Sequence, residues 1–239
     1  MKSMIHAGLV LLLFSCSKKE TTAPPVVPKT DCRISSAHYF NGTLDFMYTL
    51  SYNDQGKISK LVYDGPSAYV KAFTYSGNLI YINISAQGTT ATDTISLNSS
   101  GSINTHKEIT GQSVYNTSFS YDAGGQVISS TTQQDNNAPA TTDYTFTNGD
   151  LTNTSTAILK DTTVYDLSKP AVIGNLDDFN QLIYYGSFYF TNKHLKQSFS
   201  SWPYHYNFTY TYDDEGKITS VASNDGTITE TFEFIYDCN

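Results

Sequence analysis

The stretch "TYTYDDEGKITSVAS", residues 209–223, carries the choice on which the fold depends. Asp213, Asp214 and Glu215, followed by Gly216, Lys217 and Ile218, either open a calcium loop or turn a corner between two strands. An EF-hand loop places oxygen ligands at positions 1, 3 and 5, Gly at 6 and a bidentate Glu at 12. With Gly216 at position 6, Thr211 falls at position 1 and Ala222 at position 12. Both outer ligands are missing. The acids are therefore assigned to a turn, and no metal site is expected.

The same frame occurs three more times, in Tyr52 to Ile58, Leu97 to Ile103 and Tyr121 to Val127. An apolar residue is followed by Asp or Asn, Gly stands four places after the apolar residue, and an aliphatic residue resumes two places later. A short side-chain acceptor bonds the backbone ahead of it, and Gly closes the turn in the left-handed conformation that a Cβ disfavours. Each frame is a hairpin. Shorter versions stand at Tyr75 to Leu79 and Phe146 to Leu151.

Gly56, Gly77, Gly101, Gly125 and Gly149 follow one another at intervals of 21, 24, 24 and 24 residues, the length of two strands and two turns. Between them fall Asp64-Gly65-Pro66, Gln87-Gly88, Gly111-Gln112 and Asn136-Asn137-Ala138-Pro139, which belong at the opposite end of the sheet. Strand patterning agrees. Phe46, Tyr48, Leu50 and Tyr52 alternate with Met47, Thr49 and Ser51, and Trp202, Tyr204, Tyr206, Phe208, Tyr210 and Tyr212 share one face while His205, Asn207, Thr209 and Thr211 take the other. The expected fold is all-β: an antiparallel meander of roughly a dozen or more strands, curling into a barrel or strongly coiled sheet. A short helical insertion is expected near residues 175–199. Its basis is the N-cap residue Asn175, the acids Asp177 and Asp178, and apolar positions 176, 179, 182 and 183.

Composition sets the class. Of 239 residues, 39% are hydrophobic, 14% aromatic and only 15% charged, a balance typical of β-rich extracytoplasmic chains. The formal charge of −8 and the absence of a basic stripe exclude nucleic acid as a partner.

The N-terminus supplies an address. Lys2 precedes an apolar run from Ile5 to Phe14, too short for a spanning helix, that ends in Leu13-Phe14-Ser15-Cys16. This resembles the lipobox of bacterial lipoproteins. The resemblance implies cleavage after residue 15, acylation of Cys16, and attachment to the membrane through that lipid; Ser17 favours the outer membrane. The chain then divides into a signal peptide (1–15), a lipidated Cys and proline-containing tether (16–31), and a single β domain (32–239). Cys32 and Cys238 stand at the two ends of that domain. A bridge between them would bring first and last strands together and argue for closure; the alternative is two thiols on an open sheet.

The recurring Tyr-Asp-x-x-Gly-Lys-Ile hairpins, with the lipobox and tether, resemble uncharacterised Bacteroidetes-type lipoproteins with a domain of unknown function. The hairpins themselves are similar to the Tyr-Asp repeats of Rhs-type shell proteins. The resemblance implies extracytoplasmic anchoring and a β-fold, and brings no activity with it.

Catalytic patterns are lacking. There is no His-Glu-x-x-His, nucleophile elbow, phosphate loop or dinucleotide fingerprint, so no catalytic residue and no cofactor is assigned. His38, His106, His194 and His205 follow no metal-ligand spacing. Adjacent acids at Asp177-Asp178 and Asp213-Asp214 would serve a hydrolase only across a cleft. A binding module for glycan or for an envelope protein is the expected function, with Trp202, Tyr204 and Tyr206 as candidate ligand contacts. The alternatives are a structural or accessory subunit of an outer-membrane complex and, behind it, a hydrolase. The tyrosine ladder itself also reads as core, with hydroxyls reaching its edge.

Overall fold

Every Asx–Gly frame reverses a pair of strands in the computed structural model, which describes residues 32–238. Asn53, Asn98, Asp122 and Asp213 act alike: each side-chain Oδ1 accepts the main-chain N–H two and four residues on, at 2.9–3.0 Å. The closing Gly sits at positive φ in each, +82° at Gly216, and the ladder slips by one residue beside it. These are type I turns with a bulge.

The strands are β1 (Cys32–Phe40), β2 (Asp45–Tyr52), β3 (Ile58–Tyr63), β4 (Tyr69–Ser76), β5 (Leu79–Ala86), β6 (Thr89–Leu97), β7 (Ile103–Thr110) and β8 (Ser113–Tyr121). They continue as β9 (Val127–Gln134), β10 (Ala140–Thr147), β11 (Asp150–Ser155), β12 (Lys160–Pro170), β13 (His194–Ser201), β14 (Tyr204–Tyr212), β15 (Ile218–Asn224) and β16 (Thr229–Cys238). Each pairs antiparallel with its neighbours in sequence, and β1 pairs with β16, closing a sixteen-stranded barrel. Closure leaves no exposed edge. Cys32 and Cys238 face each other across that seam with Cα atoms 4.0 Å apart and are disulfide-bonded.

Tyrosines of the Tyr-Asp frame have a structural task. Tyr52 and Tyr121 of the frames, and Tyr236 near the closing seam, each donate a hydroxyl hydrogen bond to a carbonyl eighteen residues earlier, on Ile34, Ile103 and Ile218, whereas Tyr212 of the fourth frame is 42% exposed. The ring covers core while its hydroxyl ties adjacent strands at the same end of the barrel. Leu97 and Phe146 keep the ring or aliphatic cover at this position and lack the tie.

The alternation puts apolar residues inside. Ile80, Ile82, Ile95, Ile103, Phe119, Val127, Val221 and Phe234 are buried in one core. Between them, outward positions are mostly Ser, Thr and Asn, whose side chains pair across strands, as in Ser96–Thr105 (2.6 Å), Thr211–Thr219 (3.0 Å) and Thr147–Thr152 (3.2 Å), with Ile128, Val164, Leu167 and Ile235 as scattered apolar exceptions. A lipid-facing barrel carries an apolar band with aromatic girdles on this surface. Here the outside is polar.

The meander breaks once, between β12 and β13. Helix α1 (Leu176–Tyr185) begins at Asn175, whose side chain accepts the Asp178 N–H, and ends at Gly186 in the left-handed conformation. A Cβ on Gly186 would come within 2.8 Å of the Phe73 ring, so both conformation and space call for Gly there. The inserted residues touch strands on every side. Phe179 packs against Tyr48, Phe232 and Phe234; Tyr189 against Phe119; Phe190 against Phe146; and the Ile173 carbonyl receives the Ile218 N–H. The helix therefore plugs the barrel at the end that carries the Tyr-Asp turns and the disulfide. The break runs over residues 171–193, so it starts and ends a few residues sooner than the expected 175–199. The carboxylate of Asp150, 1% exposed, accepts the main-chain N–H groups of Lys193 and His194 and pulls the chain back into the ladder at His194.

Candidate functional site

With one end plugged, the other end of the barrel is a mouth. Tyr184 establishes this: it lies on the plug helix, its ring is near Lys71, and it is still 56% exposed, so solvent reaches the floor from the mouth. The lumen above the floor has two unlike walls.

One wall, from β13 through β16 and β1 to β4, is aromatic. Tyr39 stacks on Phe46 (4.5 Å between centroids), and Phe46 meets Tyr63 (4.9 Å), which meets Tyr69 (4.9 Å). Tyr39 also contacts Phe232, and Tyr206 lies between Phe199 and Tyr204. One acid stands in this wall. Glu230 accepts the Tyr39 hydroxyl at 3.0 Å; burial first, and this carboxylate second, push the phenol up to about 12.

The facing wall, from β4 to β10, is polar. Lys71 is buried, and burial pushes its ammonium down against the pull of Asp93 and Glu108. Its Nζ donates to the Ile183 carbonyl of the plug at 3.1 Å. Asp93 is 5% exposed and stands 3.7 Å from His106 Nε2, too far for a hydrogen bond. Asp93 Oδ1 and His106 Nε2 have no hydrogen-bond partner among the described residues. Beside them, Ser130 pairs with Tyr144 (2.8 Å) and Thr117 with Thr132 (2.9 Å).

The candidate contacts named from sequence lie at the mouth. Trp202 is 85% exposed, in the turn before β14 and not in the strand itself, and Tyr204 is 56% exposed. Tyr206 is half-buried in the aromatic wall, while Phe208 and Tyr210 pack against the core. The ladder is thus surface at its upper end and core at Phe208 and Tyr210, while Tyr212, beyond the register shift, is exposed again. Cys16 lies outside the described residues.

The remaining suspects have structural partners. Asp177 is held by Lys196 (2.6 Å) and Asn192 (2.8 Å). Asp178, raised by burial, accepts from Asn175. His38 pairs with Asp45, His194 with Asp150 and His205 with Ser200. The sequence reading passed over Lys71, Asp93 and Glu108, and set His106 aside on spacing alone. Their signal is phase: Lys71 stands between Tyr69 and Phe73, and Asp93 two places before Ile95, charged residues in the inward register of their strands.

A second depression lies outside. It is a groove of about 740 Å³ over β6 to β9, lined by Thr94, Ser96, Thr105, His106, Asn116 and Gln133, with no Phe, Tyr or Trp in its lining.

No family model matches the chain, and no curated protein matches it. Among solved structures it is similar to a porin-like protein from Bacteroides uniformis ATCC 8492, with TM-score 0.62 and 13% identity over 85% of this chain and 98% of that one. A porin-like protein from Bacteroides vulgatus ATCC 8482 is similar with TM-score 0.59 and 15% identity, again over 85% and 98%. The shared property is the fold. At that identity the likeness extends to the closed barrel and stops there.

Proposed function

We propose that this chain is a lipid-anchored envelope protein whose plugged barrel stands in water and receives a saccharide through its open mouth. The single observation that carries the reading is the pair of unlike walls above the Tyr184 floor. Aromatic faces such as Tyr63 and Tyr69 cover the C–H faces of a sugar, while wall hydroxyls, Glu230 and Glu108 meet its hydroxyl groups. The polar outer surface favours a barrel beside the membrane over one within it, with anchoring left to Cys16. Likeness to porin-like proteins is compatible with residence at the outer membrane.

Titration calorimetry of the full chain against a panel of soluble oligosaccharides tests the reading. Binding by at least one member is expected, weakened about tenfold or more by Tyr69→Ala and by Tyr184→Ala. Two results would overturn it: no heat from any saccharide, or ion conductance when the protein is added to a planar bilayer. The anchor has its own test. Cys16→Ser should move the protein from the membrane fraction to the soluble one, and equal acyl labelling of variant and parent would remove the lipoprotein assignment.

A further inference from the structure

We propose that one half of the barrel mouth is a seat for a lipid surface, the face of a bilayer with neutral headgroups. Eight turns ring the mouth, and they differ by side. Four consecutive around the ring, at 156–159, 202–203, 225–228 and 41–44, carry Ile158 (88% exposed), Leu159, Trp202, Ile228 and Leu44. The other four carry Asp64-Gly65-Pro66, Gln87-Gly88, Gly111-Gln112 and Asp135-Asn136-Asn137. Apolar crests and polar crests are segregated.

The apolar crests are built alike. Asn41, Thr156 and Asp225 each turn a side-chain oxygen on the two N–H groups that follow at the crest, those of Thr43 and Leu44, Ile158 and Leu159, and Thr227 and Ile228. In each, the first residue's N–H also donates to the fourth residue's carbonyl. The turn needs no partner for its backbone, and its fourth residue is aliphatic every time. Such turns hold Leu44, Leu159 and Ile228 at fixed positions on the rim, with Ile158 and Trp202 standing beyond them.

A bilayer face suits this arrangement better than a protein. The apolar groups lie on separate turns along one ring, so a plane meets all of them together. Trp favours the boundary between hydrocarbon and headgroups. Flanking charges are Asp45, Asp161 and Asp225 against Lys160, which offers no cationic footprint for anionic lipid. Reach also fits, and here the argument rests on the Cys16 anchor. Fifteen residues lie between Cys16 and Cys32, a span of roughly 50 Å when extended. Strands of six to eleven residues, most of them eight or nine and tilted as barrels require, make the barrel only about 20–25 Å tall. A barrel tied down at its plugged end has chain enough to lay the apolar half of its mouth on the same membrane, leaving the polar half open.

Trp202 is the one tryptophan of the chain and reports directly on the seat. Full-length protein bearing its lipid is added to phosphatidylcholine vesicles, with and without acyl-brominated lipid, and iodide access to Trp202 is measured beside flotation. Brominated lipid should quench the emission about twofold or more and iodide access should fall, and the double variant Ile158→Ser/Leu159→Ser should reverse both without changing flotation. Protein that floats while Trp202 stays open to iodide and unquenched overturns the seat and leaves the anchor standing. Protein that neither floats nor is quenched overturns both. Shielding without vesicles that grows with protein concentration overturns the lipid assignment in favour of a second copy of the chain.

Discussion

Lys71 Nζ donates to the main-chain carbonyl of Ile183 at 3.1 Å, joining a barrel strand to the last turn of the plug helix across 112 residues of sequence. The helix carries two acids in its first turn and no basic residue in its last. The wall supplies the missing cation at the negative end of the dipole. Lys71→Ala should leave that carbonyl, Asp93 and Glu108 without their positive partner and cost about 3 kcal/mol. Lys71→Met, which restores volume without charge, should cost less. Urea denaturation of the two variants checks the order, and equal losses would mean that Lys71 serves only to fill space.

The bridge between Cys32 and Cys238 closes a loop of 206 residues at the β1–β16 seam. In the chain-entropy account, loops of this length gain several kcal/mol, and native disulfides are worth about 2–5 kcal/mol. Cys32→Ser/Cys238→Ser should lower stability by that amount while the sheet signal in circular dichroism persists, because the seam keeps its eight main-chain pairs. Peptide mapping that finds both thiols unbridged in secreted protein would remove the prediction.

Much of this barrel was legible because its turns are local chemistry. An Asx side chain that satisfies two backbone N–H groups, with a Gly to close, works without tertiary help, so Asn53, Asn98, Asp122 and Asp213 announce their hairpins in sequence. Pairing of β1 with β16 was legible through the cysteines. Depth was not. Alternation puts Trp202 and Tyr210 on one face, yet one stands at the rim and the other packs on the core, because strand phase says nothing of height along the barrel. The Asp93–His106 pair joins strands through sheet register, and the apolar crests at Leu44 and Ile228 depend on which turns share one end of the barrel.

Burial of tyrosine makes a prediction for alkaline pH. Tyr52, Tyr75 and Tyr121, ordinarily near 10.0, are each pushed up to about 12, first by burial. A raised folded-state pKa means that the unfolded chain loses the proton first. The stability these hydroxyls contribute is then complete below pH 10 and lost as pH climbs toward 12. Phenolate also cannot donate to the Ile34 or Ile103 carbonyl. Near-ultraviolet titration should show a late class of tyrosines whose ionisation coincides with loss of the sheet signal, and Tyr52→Phe should shrink that class. Ionisation of all 19 tyrosines in one step near pH 10, with the fold intact, would contradict it.

The acids of residues 213–215 make the last prediction. Burial pushes Asp213 up, but hydrogen bonds from the Lys217 main chain and side chain and from the Glu215 N–H outweigh it and hold the carboxyl below its ordinary range. Its oxygens are engaged by the turn. Calcium should therefore leave the melting temperature unchanged, Asp214→Asn should be nearly silent, and Asp213→Ala should cost about 1 kcal/mol through the lost N–H acceptor. Gly216→Ala and Gly125→Ala, at φ +82° and +81° with no atom near the added Cβ, should each cost about 1 kcal/mol from conformation alone. Gly56→Ala should cost more than either. There the Cβ would come within 2.5 Å of Arg33 Nη2, displacing a guanidinium that lies 5.5 Å from the centre of the Tyr52 ring. Thermal melts of the three glycine variants test the order, and a calcium-dependent rise of several degrees that disappears in Asp213→Ala would return the stretch to metal binding.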